Sequence, residues 1–579
     1  MNGSVSSPSG EPFRSGTSGL QTAAEEDYPF FGLHGEPRNN GAGLARLVST
    51  PRYQFILLAV LTIFLCSIKL DNGGLMKYDE CYYAQKAKEM VQSGDWLTPR
   101  FAGRATHDNP PGHMWIIAAS YKIFGINEWG ARFPTVIETV LIVMMTYLLA
   151  RWLFRSSWVA FLSGSGLLLC DYFYKYSRKA HMDHLMTLLF LIALVSFIAG
   201  RRKHQAWFIL TGATAGYAVL TKSVLGLFSI ISIFVYIIIT REWRLLKRPL
   251  LWVGLVVSAL IVFVWYYQEY RIFGARFLDI HVRWLLYSRS IMGSTEAADR
   301  TVPNYLLKMA NNLYLFFRDA HVWLILGIAG IVSFFKRKRE APACSDVHRR
   351  EAVLLAAGGI APLLIMSLAG EFKSWYLMPV FVPFVIFSAV FLSRILKTER
   401  RTAIAGYVFL SLLTIHLSIL IVAPIFTLDM KHDIRNPGIR KLATKIRMLD
   451  PENGTQTVLF PATDEIAKDC GMRGSPFSYQ GIASPWNFYS DHPLRPRSDP
   501  ATLAETRVYM DEEEGICLTT AEGFDVISDS GRLPYKVIGR VVQGNEEYVT
   551  CCSADYYMKR RRDIERDFSR PPLYSLRRH

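Results

Sequence analysis

Asp79, Glu80, His107 and Asp108 are residue types that move protons and hold cations, and they sit in one short stretch. That stretch, Lys77–Gly112, reads KYDECYYAQKAKEMVQSGDWLTPRFAGRATHDNPPG and is wedged between strongly apolar runs. Carboxylates so close to lipid point to chemistry at a membrane surface. A carboxylate there can take a proton from a hydroxyl. With His107 and Asp108, Asp79 could instead ligate a divalent metal. Further candidates follow along the chain. Asp183 lies at a membrane edge with His181 and His184, where an ionisable cluster is costly unless it faces a cavity. Arg178, Lys222, Arg283 beside His281, and Lys373 with Tyr376 are candidates to hold an anion such as a phosphate. Each has a plainer reading. Asp79 can simply cap a helix, Asp183 can pair with Arg178 or Lys179, and Lys222 can snorkel to headgroups. Trp265-Tyr266-Tyr267 reads as an interfacial aromatic belt before it reads as a sugar platform.

The elements that must position these residues are membrane spans. The chain has 579 residues, 51% of them hydrophobic and 13% aromatic. Many uncharged runs approach the 17–25 residues or so that cross a bilayer. Eleven spans are expected, near 53–71, 132–150, 156–170, 184–200, 204–221, 223–240, 250–269, 318–335, 351–369, 375–393 and 402–425. The net charge of +16 is concentrated in short loops between spans, which fits lipid headgroups and the positive-inside rule better than nucleic acid. If odd-numbered spans run outward, the basic loops 151–155, 201–203, 241–248, 336–350 and 394–401 share the cytoplasmic side. Loops 72–131, 171–183, 270–317 and 370–374 and the segment 426–579 then lie outside. No ATP is available there, so synthetic chemistry needs a substrate that arrives activated.

Within the first outer loop, a helix is expected over 80–92 with Asp79 as its N-cap, ended by Gly94. A second, interfacial helix starts at Pro110-Pro111 and runs to Phe124. Residues 1–50 are Gly/Ser-rich and read as a disordered cytoplasmic tail. The segment 426–579 reads as a small α/β domain, with a helix at 437–448 and strands at 455–460, 515–520, 535–542 and 547–552. Its end is basic and suits a solvated tail or anionic headgroups. Cys470, Cys517, Cys551 and Cys552 fall in this segment and allow one or two disulfides if it lies outside the cytoplasm.

The run from Asp79 through the SGDW, PPG, IFG and RFP pieces resembles the first periplasmic loop of the aminoarabinose transferase family. That family sits with the bacterial protein-mannosyltransferase-like glycosyltransferases of the C-type fold. Later pieces agree in order: Ser177–Asp183, Leu220-Thr221-Lys222 and Phe372–Pro379. The likeness covers roughly residues 53–395. Asn109 stands where the resemblance leads to a lysine.

The resemblance implies an all-α polytopic membrane protein of about 11–13 transmembrane helices, with a C-terminal extracytoplasmic α/β domain. It implies a membrane glycosyltransferase that moves a sugar from a polyprenyl-phosphate donor to a cell-envelope acceptor: a lipid A-like glycolipid, a glycan or a protein. The expected setting is a bacterial inner membrane with the site on the periplasmic side. Asp79, Glu80 and Asp183 are the expected catalytic acids. His107, Asp108, Arg178, Lys222, Arg283, Lys373 and Tyr376 are the expected substrate contacts, and inversion at the anomeric carbon follows from the family. Rival readings are a flippase or secondary transporter, against which the absence of a visible repeat weighs, and an inactive lipid-phosphate-binding homologue, motivated by Asn109.

Overall fold

The computed structural model describes residues 50–71, 74–76, 79–282, 302–336, 346–369, 372–422, 437–449, 457–459, 483–490, 503–512, 515–529, 531–543 and 546–569. The N-terminal stretch 1–49, Arg283 and Cys470 lie outside the described residues. In chain order the membrane part comprises α1 (Pro51–Ser67), α2 (Asp79–Ser93), the hairpin β1–β2 (Arg100–Phe101, Arg104–Ala105), α3 (Gly112–Phe124), α4 (Glu128–Phe154), α5 (Ser157–Leu169), α6 (Met182–Arg202), α7 (Trp207–Lys222), α8 (Phe228–Thr240), α9 (Pro249–Phe273), α10 (Val302–Lys336), α11 (Asp346–Ser367), α12 (Met378–Leu396) and α13 (Glu399–Val422).

Helices stand at all eleven expected span positions, but they are not equal. Seven stretches are long and apolar enough to cross a bilayer alone. α1 and α5 are shorter, and α10 bends by 104° between Arg318 and Val322. The 34-residue stretch Trp207–Thr240 reads by length as one span, yet it contains two helices. A 3-10 turn, Ser223–Leu227, separates α7 from α8. Gly226 there lies so close to Ala218 that a Cβ would fall 2.3 Å from its carbonyl carbon. The chain therefore doubles back, as two adjacent spans require.

The far ends of the helices confirm the doubling. Arg201 at the end of α6 pairs with Glu242 just after α8 at 3.0 Å, and Arg350 in α11 reaches the same carboxylate at 2.7 Å. Arg201 also pairs with buried Glu351, and Arg202 lies over the Trp152 ring of α4 at 4.9 Å. Arg394 of α12 bonds Ser333 of α10. The described parts of the basic loops expected on one side do sit at one end of the bundle. A single apolar core, with Leu58, Tyr147, Phe161, Phe197 and Phe381 among its buried members, joins the helices between the two ends.

The first outer loop folds much as its residues dictate. Asp79 begins α2 rather than capping it. Gly94 ends the helix with a φ of +75°, a conformation that side chains resist. Asn127 caps α4, its side chain accepting from the Gly130 N–H at 2.7 Å. In the C-terminal part, β3 (Thr457–Leu459), β4 (Ile516–Thr520), β5 (Tyr535–Gln543) and β6 (Glu546–Ser553) form one sheet in the order β3-β4-β6-β5. β3 and β4 are parallel and the other pairs antiparallel. Helix α14 (Pro437–Leu449) packs on β5 and β6, and α15 (Ala483–Ser490) packs against both α14 and α2. Cys517 and Cys551 face each other across β4 and β6, and the six described cysteines are free thiols.

Candidate active site

Asp79 stands at the free end of α2, where the helix dipole favours a carboxylate. Its side chain keeps 29% of its surface exposed, while its neighbours are closed in. One oxygen meets His181 Nε2 at 3.3 Å. The other ring nitrogen of His181 bonds Asp183, and Asp183 pairs through its second oxygen with Lys222. An imidazole between two carboxylates satisfies both only by donating from both nitrogens, which makes it an imidazolium. The row Asp79–His181–Asp183–Lys222 thus alternates negative and positive charge and sums to zero.

The two groups outside the spans are shifted as this arrangement requires. Burial alone would raise the Asp79 carboxyl, but the His181 hydrogen bond and charge, with Lys222, outweigh it and hold it below the usual carboxylate range. Burial alone would lower His181, yet Asp183 and Asp79 together push it up. Aromatic rings wall the row: Tyr83 at 5.9 Å, Tyr176 at 5.0 Å and Trp375 at 6.1 Å from the His181 ring. Lys222 lies 4.6 Å from the Tyr376 ring centre, and exposed Lys373 lies 5.8 Å from that of Trp375. Segment 373–376 is thereby brought beside Asp79 from almost three hundred residues away.

Gly112 explains why Lys222 is where it is. α3 starts against the end of α7, and a Cβ at position 112 would lie 2.7 Å from the Leu220 carbonyl oxygen. Tyr217 completes the joint by donating to the Gly112 carbonyl at 2.9 Å.

Four expected site residues, Glu80, Arg178, His107 and Asp108, are occupied elsewhere. Glu80 is closed off and gives its oxygens to Arg132 Nε at 2.7 Å, the Met76 N–H at 2.7 Å and the Ala180 N–H at 3.1 Å. Its charge holds the loop together. Arg178 donates to the Leu65, Cys66, Ile68 and Lys69 carbonyls, closing the end of α1. Those oxygens have no partners within the helix, and a buried guanidinium suits them. His107 is also buried, with Nδ1 3.3 Å from Glu269 on α9. Thr98 donates to the same carboxylate at 2.8 Å.

Asp108 pairs with buried Lys86 at 2.6 Å and accepts from Asn109 at 2.7 Å. His281 Nδ1 donates to the His107 carbonyl at 2.6 Å, which leaves Nε2 to accept from Tyr266. Trp265 also turns inward and donates to the Leu97 carbonyl, so only Tyr267 of the aromatic trio is exposed. Asp79 on one side and His107 with Asp108 on the other therefore belong to separate clusters. Among the described residues, no group of three or more His, Cys, Asp or Glu side chains is placed to hold a metal ion. The expected ligand set does not fit a metal.

Sequence reasoning did not single out Lys86, Glu269 or the bridging role of His181. Glu269 carries a weak signal, an acid amid the outer aromatics of a span; the partners of the others lie too far along the chain to be read.

Residues 108–267 match the model of the dolichyl-phosphate-mannose-protein mannosyltransferase family. A relative in Enterobacter sp. (strain 638), named undecaprenyl phosphate-alpha-4-amino-4-deoxy-L-arabinose arabinosyl transferase, is 26% identical over 62% of this chain and 63% of its own length. One of the same name in Pseudomonas aeruginosa (strain UCBPP-PA14) is 28% identical over 63% of this chain and 64% of its own. The alignments thus span less than two thirds of those relatives. The crystal structure of ArnT from Cupriavidus metallidurans, bound to undecaprenyl phosphate, superposes with a TM-score of 0.65 at 17% identity, over 86% of this chain and 98% of that one. By sequence the chain is thus similar to proteins named as aminoarabinose transferases and over residues 108–267 to the mannosyltransferase family model, and by fold to ArnT.

Proposed function

We propose that this integral, multi-pass membrane protein is a glycosyltransferase that moves a sugar from a polyprenyl-phosphate donor to a cell-envelope acceptor at the outer face of the membrane. The observation that carries the reading is the partly exposed Asp79 carboxylate, held by His181 within reach of the Lys222–Tyr376–Lys373 group. The named relatives support it, since their names specify an undecaprenyl-phosphate sugar.

In this reading the acceptor hydroxyl attacks the anomeric carbon from the face opposite the phosphate. The carbon–oxygen bond to the phosphate breaks and the polyprenyl phosphate leaves. The hydroxyl proton passes to Asp79. Because His181 keeps Asp79 ionised, the carboxylate first orients the hydroxyl and takes its proton only as the new bond forms and the hydroxyl becomes acidic. Lys222, Lys373 and Tyr376 hold the leaving phosphate, with Arg283 as a further contact. Asp183 acts through His181 and Lys222. Glu80, Arg178, His107 and Asp108 hold the walls in place.

The test is Asp79→Asn in proteoliposomes supplied with a polyprenyl-phosphate sugar and envelope lipid. Loss of transfer by about 100- to 10,000-fold, with normal expression, is expected; full activity would sink the assignment. A second reading, a homologue that binds the lipid phosphate without turnover, rests on Asn109 facing Asp108 instead of supplying a cation. Binding of polyprenyl phosphate by wild-type protein that transfers nothing from any donor would favour it.

A further inference from the structure

The C-terminal part does not merely sit beside the first outer loop; the two share one apolar core. Leu75, Cys81, Ala84 and Met90 from the loop pack with Leu442, Ile446, Trp486, Phe488 and Ile516. Polar contacts cross the same boundary at specific atoms. The Tyr489 hydroxyl accepts from the Leu75 N–H at 2.8 Å and donates to Glu128 Oε1 at 3.0 Å. Arg440 meets that same Glu128 oxygen at 3.0 Å, with its guanidinium 5.1 Å from the Tyr489 ring centre. Lys88 donates to the Phe488 carbonyl at 2.8 Å. Helix α15 therefore holds α2 at Lys88 and the chain just ahead of α2 at Leu75.

The gripped backbone leads directly to Asp79. Leu75 precedes Met76, whose carbonyl accepts from the Cys81 N–H at 3.1 Å and whose N–H is taken by Glu80 at 2.7 Å. These two bonds fix the start of α2. From the bundle side, Arg132 holds the Leu70 carbonyl at 2.8 Å and the Gly74 carbonyl at 2.9 Å. The strand of chain that sets the Asp79 carboxylate is thus clamped between Arg132 below and Tyr489 above. Tyr489 is buried, so its hydroxyl gives the Leu75 amide a partner that water would otherwise have to supply.

We propose that the C-terminal domain is a positioning element of the site, and that Tyr489 is the positioning residue through which it fixes the start of α2 and hence Asp79. The inference rests on the transferase reading. It makes the catalytic constellation a product of both halves of the chain. A carboxylate misplaced by even 1 Å loses much of its rate while the donor still binds.

The experiment uses the full chain in proteoliposomes, with Tyr489→Phe removing a single oxygen. Polyprenyl phosphate without sugar tests binding, a polyprenyl-phosphate sugar tests transfer, and hydrogen exchange reads the segment around Leu75. The expected result is a kcat lower by about tenfold or more, an unchanged KM for the donor, unchanged polyprenyl-phosphate binding, and exchange at Leu75 faster by about tenfold. Unchanged kcat with unchanged exchange overturns the proposal. So does a fall in the amount of folded protein with normal kcat per folded molecule, which would mark Tyr489 as structural only. If Tyr489→Phe does not accumulate, Arg440→Gln removes the cation that pairs with Glu128 at the same joint, and a normal kcat there is equally fatal. Wild-type protein that binds polyprenyl phosphate but transfers nothing defeats the transferase reading instead, and is recognised before any variant is made.

Discussion

The two ends of the helix bundle both carry ion-pair networks, and they are built on opposite plans. At the arginine end, Arg201 joins Glu242 and Glu351 while Arg350 joins Glu242. Both of these carboxylates meet a guanidinium, and the result ties α6, α8 and α11 together. At the Asp79 end the row is finished with a histidine and a lysine, and its first carboxylate is left partly open. Guanidiniums stay charged at any pH the protein meets, whereas an imidazolium can be lost. One end is fixed and the other is adjustable. Charge clusters in membrane proteins are therefore better sorted by the identity of the cation and the exposure of the last carboxylate than by how many charges they contain.

The difference can be broken experimentally. Asp79→Asn should give the largest effect, about 100- to 10,000-fold in transfer, with the melting temperature in detergent nearly unchanged. A large loss of stability would erase the distinction between the ends. Glu351→Ala should do the converse, leaving half-buried Arg201 with Glu242 as its remaining carboxylate. A loss of about 2 kcal/mol is expected, with normal transfer per folded molecule, measured by thermal unfolding beside an assay.

The pH profile gives a smaller but sharper contrast. His181 has a raised pKa, so its contribution is complete below its ordinary value and is lost as pH rises through the raised one. The depressed Asp79 remains ionised until pH falls through its own lowered value. Transfer should hold between the lowered Asp79 value and the raised His181 value and fall on the alkaline side of the latter, and in His181→Gln that alkaline limb should vanish from an already reduced rate. Lys373→Gln should have the mildest effect, a several-fold rise in donor KM at unchanged kcat, since an exposed cation contributes about 1 kcal/mol or less. A kcat effect instead would move Lys373 from binding into chemistry.

Much of this was legible from residue patterns. The eleven helix positions, the two helices of the first loop and the strand pair around residues 543–546 follow from apolar runs, Gly94, the double proline and alternation. The open role of Asp79 also came from its neighbourhood in sequence. Glu80 and Arg178 illustrate the limit. Each is a charged residue beside a membrane edge, as a catalytic group would be, but their partners are Arg132 and the Leu65–Lys69 carbonyls. Those separations of 52 and 109–113 residues leave no periodic trace. The two spans expected at 204–221 and 223–240 are both present, and the close approach of Gly226 to Ala218 shows how the chain reverses between them without a polar loop.

Gly112 sets a strict limit on variation. With 2.7 Å between its missing Cβ and a backbone oxygen, there is no side chain to move aside. Even alanine would have to part α3 from α7, and Lys222 would travel with α7, away from Asp183. In a saturation library scored for transfer, position 112 should therefore tolerate glycine alone, and its losses should be rescued by no substitution at Lys222. The smallest residue of the site would then be the one under the tightest mutational constraint.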